Sequence, residues 1–288
     1  RRGAAGPAGA SPEHLASAAE GVAAVARTHA VVLTHGNGPQ VGLLALQAEA
    51  AGAEAPTPLD VLGAESEGLI GYLLAREVRS RLPGRPVTAL LTQVEVDPDD
   101  PAFTSPDKPI GPVYDEGEAR SLAHSRGWTV ARDGDGWRRV VPSPAPRRLL
   151  EEDILRLLVE QGVLLICAGG GGIPVTLDAA GRVSGVEAVV DKDATAVLLA
   201  RAVGAAGLLL LTDVPGVMEA WGTPDPRLVR RMTPAEARAF PAPEGSMAPK
   251  LRACADFVEG GGAFAVIGPL EQGPALLAGT AGTRIEAG

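Results

Sequence analysis

Lysine is the residue this chain nearly does without. Of its 26 basic residues only three are lysines, Lys108, Lys192 and Lys250, and arginine takes the other positions. Composition bias alone produces such a preference, so rarity does not prove function. Each lysine nevertheless sits beside glycine, proline or aspartate rather than on a charged helix face. A lysine ammonium is a compact point charge on a flexible stem, whereas arginine presents a broad planar fork. A site that holds a moving phosphoryl group can require the former.

Other scarcities exclude whole classes of protein. Two cysteines, Cys167 and Cys254, make no disulfide framework in a chain of 288 residues, and neither belongs to a Cys-x-x-Cys pair. Cys167 ends the apolar run Val163-Leu-Leu-Ile-Cys and reads as buried core, in keeping with a reducing, cytoplasmic compartment. The four histidines, His14, His29, His35 and His124, show no metal-ligand spacing. The longest apolar runs, residues 162–168 and 207–211, are far too short to span a bilayer. Arg1-Arg2 leads into small residues rather than the apolar core of a secretory signal. No basic run suggests a nucleic-acid footprint, and the formal net charge is −9. An acidic protein that handles anions must gather positive potential locally, from its few lysines and from backbone amides.

What is present is an alternation of short apolar runs and amphipathic stretches. Residues 11–27 read as a helix, with Ser11 as cap, Pro12 in the first turn, and Leu15, Ala18, Ala19, Val22 and Val25 as its stripe. Strand 30–34, helices 40–50 and 59–81, and strand 86–96 follow. Farther on come helix 147–161, strand 163–168, helix 193–203, strand 207–212, helix 249–259 and strand 263–267. Apolar strands alternating with helices predict an α/β sandwich with a largely parallel sheet. Residues 97–146 break the rhythm. They are proline-rich and hold much of the scarce aromatic content (Phe103, Tyr114, Trp128 and Trp137). We read them as a small excursion of hairpins plus a helix at 115–126, projecting from the main sheet, rather than as a disordered insert.

Several turns carry chemistry. Strand 30–34 leads into His35-Gly-Asn-Gly-Pro-Gln-Val-Gly42. Gly36 and Gly38 let backbone approach a ligand, the free amides of the following helix suit an anion, and Asn37 can offer its amide to a small carbonyl or carboxylate. A ligand-free strand-helix turn stays open as an alternative. Gly169, Gly170, Gly171 and Gly172 follow an apolar strand, have no evident packing value, and suggest a nest of amides around phosphate or carboxylate oxygens; a floppy loop is the other reading. Lys192 lies between Asp191, a candidate N-cap, and Asp193, which can hold an ammonium in place. Thr212-Asp213-Val214 ends a buried strand at the sheet edge where open α/β folds bind ligands. Lys250 falls in the first turn of a helix, where a cation opposes the dipole unless an anion is near. Lys108 sits in a proline-stiffened turn of the excursion. No Walker A pattern is present.

Jointly these segments resemble the carbamate kinase family of the amino-acid kinase superfamily. The resemblance is carried by His35-Gly-Asn-Gly-Pro-Gln-Val-Gly42, Asp60-Val-Leu-Gly-Ala-Glu-Ser66 with Ile70-Gly-Tyr72, Lys108-Pro-Ile-Gly-Pro112, Arg138-Arg-Val-Val-Pro-Ser-Pro144, Cys167-Ala-Gly-Gly-Gly-Gly-Ile-Pro174, Gly185-Val-Glu-Ala-Val-Val-Asp-Lys-Asp193 and Gly245-Ser-Met-Ala-Pro-Lys250, in family order.

The resemblance implies a three-layer α/β/α sandwich with a largely parallel open sheet. One domain would span 1–288, with a projecting subdomain inserted at 97–146. It implies a cytoplasmic homodimer that binds neither nucleic acid nor membrane. The reaction would be reversible phosphoryl transfer between ATP and carbamate, giving carbamoyl phosphate and ADP, often run toward ATP in arginine catabolism. By motif position Lys108, Lys192 and Lys250 match phosphate-contacting lysines and Asp193 the aspartate that orients them, so these four are the catalytic candidates. Gly36, Asn37 and Gly38 match the carbamate-side turn, and Gly169, Gly170, Gly171 and Gly172 line the cleft. Thr212, Asp213, Val214, Met218, Met247 and Pro249 fall on the nucleotide side. Mg²⁺ would arrive with ATP or ADP, bridging phosphates and keeping several waters, with no protein metal ligand assigned. Two alternatives are a kinase for another small carboxylate or phosphonate and a catalytically silent nucleotide-binding relative. The family pattern also begins with a strand ending in Gly-Gly-Asn, just ahead of Arg1-Arg2. That strand is not among the 288 residues, and the expectation is that it belongs to the protein, because losing a central buried strand would be severely damaging.

Overall fold

The computed structural model describes residues 12–50, 57–243 and 245–288. The expected helix cap Ser11 lies outside them; the first described helix is Pro12–Ala26.

The strand Leu164–Cys167 organises the N-terminal part. It is buried along its whole length and pairs in parallel with Val32–Leu33 on one side and Val87–Leu90 on the other. Successive side chains of a strand point to opposite faces. Leu164 and Ile166 join Ala19, Val22, Ile70, Leu74 and Val78, from helices Pro12–Ala26 and Leu59–Arg81. Leu165 and Cys167 join Leu155, Leu199 and Ala202, from helices Glu152–Glu160 and Lys192–Ala202. A strand apolar on both faces needs a helix layer on each, and the three-layer arrangement follows. At about 25 cal/mol per Å² of apolar surface, each fully buried leucine or isoleucine here contributes roughly 2 kcal/mol. Cys167 and Cys254 are both free and buried, and burial pushes the Cys167 thiol up to about 12.

A second parallel pair, Gly207–Thr212 with Phe264–Pro269, is backed by helix Met247–Glu259. Leu251, Cys254 and Phe257 of that helix pack with Leu208, Leu210 and Ile267. Antiparallel Thr283–Ile285 extends this sheet beside Phe264–Pro269, so the sheet is mixed at that end.

Two expected elements are corrected. The single strand 86–96 is two strands, Val87–Leu90 and Gln93–Val96, in different sheets. Between them Thr92, fully buried, accepts from Ala168 N at 3.1 Å and donates to Leu90 O at 3.1 Å, which turns the chain out of the first sheet. The helix expected at 147–161 begins only at Glu152, because Pro146–Leu149 is a strand antiparallel to Gln93–Val96. Leu149 faces the core while Arg148 pairs across the ladder with Glu95 at 2.9 Å. Alternation of period two wins over helical spacing there.

Within 97–146 lies a separate antiparallel sheet, Lys108–Tyr114, Gly136–Val141 and Thr129–Asp133 in that order. Helix Glu116–Arg126 is capped by Asp115 and stopped by left-handed Gly127. The base of this unit is anchored: Ile110 and Val141 pack with Val41, Leu59 and Leu62, and Val189 N donates to Pro142 O at 3.0 Å. Gly42 and Gly111 meet backbone to backbone, leaving no room for a Cβ on Gly42.

Candidate active site

Three ammonium groups gather at one helix N-terminus. Lys108 Nζ lies 2.6 Å from Asp191 Oδ2. Asp191 Oδ1 accepts from Asp193 N at 2.9 Å and Ala194 N at 3.1 Å, capping helix Lys192–Ala202. Lys250 Nζ contacts both oxygens of Asp193, at 2.9 and 3.1 Å. Lys192 stands between these two pairs in sequence and in charge. It is exposed and makes no hydrogen bond or ion pair to any described residue. Its stem passes Gly36, where an added Cβ would lie 3.9 Å from Lys192 Cδ. Three ammoniums against two carboxylates leave one net positive charge beside the glycine turn.

The electrostatics follow from that crowding. Desolvation by surrounding protein lowers the Lys192 pKa; Asp193 opposes this, Lys250 adds repulsion, Asp191 opposes, and Lys108 adds further repulsion. Burial alone would raise the Asp191 carboxyl, but the charge and hydrogen bond of Lys108 and the two helix amides hold it below its ordinary range. The awkward cation in the first turn of helix Met247–Glu259 is accounted for within the protein: Asp193, 5% exposed, is its anion.

The glycine run behaves differently from its sequence reading. All four residues are tightly enclosed, so the absence of side chains is itself the packing feature. A Cβ on Gly169 would fall on the His35 ring, on Gly170 on the Asn37 side chain, on Gly171 on Val190 O, and on Gly172 on Val94. Gly170, Gly171 and Gly172 have positive φ of 70°, 103° and 81°. Nor are their amides a free nest. Gly169 N donates to Glu67 Oε1 at 3.0 Å, Gly170 N to His35 O at 2.7 Å, Gly171 N to Ala168 O at 3.2 Å and Gly172 N to Gly169 O at 3.1 Å. The run is a structural floor that locks against the His35–Gly36–Asn37 turn.

Asn37 is buried, and its Nδ2 donates to Ser66 Oγ at 2.8 Å. Its carbonyl accepts from Gln40 N and Val41 N at the start of helix Gly38–Ala50. His35 Nδ1 donates to Gly36 O at 3.1 Å, which leaves Nε2 as a buried acceptor without a partner among the described residues; burial lowers the His35 pKa.

The residues expected near the nucleotide are less concentrated. Thr212 ends the strand Gly207–Thr212 and donates to Asp213 Oδ1 at 3.2 Å; Asp213 is exposed and Val214 half-buried. Met247 and Pro249 share the first turn of the helix that carries Lys250. Met218 lies on a short ribbon opposite Leu228. Among the described residues no group of three or more His, Cys, Asp or Glu side chains is placed to hold a metal ion, and no helix is long and apolar enough to cross a membrane.

Sequence reasoning missed the Lys108–Asp191 pair, which joins positions 83 apart. It also missed Glu67, although a signal existed. Ser66 and Glu67 fall within the buried stripe of Leu59, Leu62, Ile70, Leu74 and Val78, and a carboxylate in core register demands a partner.

The chain matches the amino acid kinase family over residues 6–268. It is 48% identical to the carbamate kinase of Escherichia coli (strain K12) over 272 residues, 94% of this chain and 90% of that one. The chain belongs to the carbamate kinase family. Another carbamate kinase, from Pyrococcus furiosus, is 44% identical over 273 residues, 91% of this chain and 87% of that one. The solved structure of the Giardia lamblia carbamate kinase bound to AMP-PNP superposes with a TM-score of 0.84 at 37% identity, covering 96% of this chain and 91% of that one. As a carbamate kinase the chain is a phosphotransferase.

Proposed function

We propose that this chain catalyses reversible phosphoryl transfer between ATP and carbamate through Lys108, Lys192, Lys250 and Asp193. The single observation that carries the reading is the convergence of three lysines on one helix N-terminus beside Gly36. A carbamate oxygen attacks the γ-phosphorus of ATP; the new O–P bond forms as the bond to the β-phosphate oxygen breaks. Carbamoyl phosphate and ADP leave, and the reverse step makes ATP. Carbamate is already an anionic nucleophile, so no side chain need remove a proton. Two anions must approach, and neutralisation by positioned cations supplies most of the catalysis.

Lys192, without a competing carboxylate contact, is free to meet the transferring group. Lys250 stays on Asp193, which fixes its direction. Lys108 reaches the same point from the base of the 97–146 unit, which we assign as the projecting subdomain of a single domain. Gly36, Asn37 and Gly38 form the carbamate side, with Gly169, Gly170, Gly171 and Gly172 as its floor. Thr212, Asp213, Val214, Met218, Met247 and Pro249 face the nucleotide. Magnesium enters as part of the nucleotide substrate, consistent with carboxylates at this cleft that already hold lysines. Removing one such cation costs about 2–4 kcal/mol in the barrier.

The test is a coupled assay offering carbamoyl phosphate and ADP. ATP formation is expected; none under any magnesium concentration would refute the reading, and turnover of another acyl phosphate in its place would redirect it. The resemblance also implies a homodimer working toward ATP in the cytoplasm. Sedimentation at micromolar concentration checks the dimer, and two buried free thiols fit a reducing compartment.

A further inference from the structure

Helix Leu59–Arg81 presents two consecutive polar side chains to the protein interior. Ser66 is fully buried and Glu67 is 3% exposed. Ser66 Oγ accepts from Asn37 Nδ2 at 2.8 Å and donates to Gly63 O at 2.8 Å. Glu67 Oε1 accepts from Gly169 N at 3.0 Å, and Oε2 from Thr92 N at 3.3 Å. Thr92 in turn accepts from Ala168 N, and Gly170 N donates to His35 O. Both turns on the acceptor side of the cleft therefore lean on one helix, through neighbouring residues.

We propose that Glu67 is a positioning residue for phosphoryl transfer, which in its ionised form holds the Gly169–Gly171 turn and, through it, the His35–Gly36–Asn37 turn that receives the small anion. This rests on the reading of the cleft given above. A carboxylate accepts on both oxygens at once; a carboxylic acid places a proton on one of them, opposite an amide that also donates. Protonation therefore abandons either Gly169 N or Thr92 N, and a buried donor without an acceptor is costly. The floor then loses its fixed height under Asn37.

The surroundings make that protonation accessible near neutrality. Burial raises Glu67 to about 7, against the lowering effect of the Gly169, Thr92 and Ala168 amides, and with a smaller raising effect from Glu151. The groups facing it do not compensate its charge. Glu151 repels it, the Cys167 thiol is kept protonated by burial, and the His35 imidazole is kept neutral by burial. Arg76 and Arg79 line the groove along the same helix but make no ion pair with it.

Steady-state assays of ATP formation between pH 6 and 8, on wild type, Glu67→Gln and Glu67→Ala, test this. For wild type the KM for carbamoyl phosphate should rise about tenfold on going from pH 8 to pH 6, while the KM for ADP changes far less. Glu67→Gln resembles the protonated acid at every pH, with one acceptor and one donor, so its KM should sit near the wild-type pH 6 value throughout, with a ratio between the two pH values below about twofold. Glu67→Ala should raise the KM for carbamoyl phosphate about tenfold at pH 8, and Glu67→Gln, which also leaves one of the two amides without an acceptor, should raise it by a similar factor. An acid limb of equal size in Glu67→Gln, or equal changes in both KM values, overturns the proposal. If wild type makes no ATP at all, the functional reading fails separately. Hydrogen exchange of the 168–172 amides then decides: lower protection relative to the intrinsic exchange rate in Glu67→Gln at pH 8, or in wild type at pH 6, sustains the holding role, and unchanged protection ends it.

Discussion

Lys108 and Asp191 are 83 positions apart in the chain and 2.6 Å apart in the fold. Their contact ties the antiparallel unit of 97–146 to the N-terminus of helix Lys192–Ala202, and one Asp191 carboxylate both caps that helix and holds the lysine. The cation is thus delivered to the cleft already aimed.

Lys108→Ala should lower kcat by about 10²–10³ while the affinity for ADP changes little. The ammonium comes from the base of the antiparallel unit, where it is held by Asp191. Isothermal titration with ADP beside turnover measurements checks the split; equal losses in both would refute the geometry. Asp191→Asn keeps an acceptor for Asp193 N and Ala194 N but releases Lys108. It should leave the unfolding midpoint nearly unchanged and lower kcat.

Lys192 and Lys250 should separate catalysis from stability. Lys192 is exposed and unpaired among the described residues, so Lys192→Ala should abolish measurable turnover with a stability change within about 0.5 kcal/mol. Lys250 pairs with an Asp193 side chain only 7% exposed. Lys250→Ala leaves that carboxylate buried alone, which costs about 3–5 kcal/mol. Urea unfolding of the two variants should differ by several kcal/mol; similar midpoints would contradict the burial argument.

Much of this was legible in the sequence because helix and strand periods are local. Helix 59–81 was read to its observed ends, and the strands around 164–167, 207–212 and 264–269 announced themselves as apolar runs. The break at Thr92 was not legible, since it depends on Ala168, 76 positions away. Likewise the helix expected from residue 147 failed because Arg148 answers to Glu95 across a ladder that no local pattern displays. The lysines stood out by rarity and by motif, but their carboxylate partners were set by the fold. The glycines were noticed for the wrong reason: they make room for the His35 ring and the Asn37 side chain, and their amides are spent on protein acceptors instead of standing free for a ligand.

Gly170→Ala is the sharpest test of that point. Gly170 has φ of +70°, and an added methyl would collide with the Asn37 side chain. Left-handed strain in a non-glycine residue costs about 1–3 kcal/mol, and displacement of Asn37 breaks its bond to Ser66. The variant should lose at least about 2 kcal/mol of stability and most of its affinity for carbamoyl phosphate. Retained affinity would place the small anion elsewhere.

Glu67 should reveal itself in stability as well as in kinetics. Its folded pKa, near 7, lies above the ordinary 4.5. Between those values the folded chain binds more protons than the unfolded chain, so stability from this group is greatest below about pH 4.5 and is lost as pH rises through 7. A shift of that size corresponds to about 3 kcal/mol. Glu67→Gln removes the titration. Relative to wild type it should therefore gain stability at pH 8 compared with pH 5, when both are unfolded in urea at each pH. Parallel pH dependences in the two proteins would mean that the Glu67 carboxyl ionises at its ordinary pKa, and the amides of Gly169 and Thr92 would then be held by something other than a neutral-pH switch.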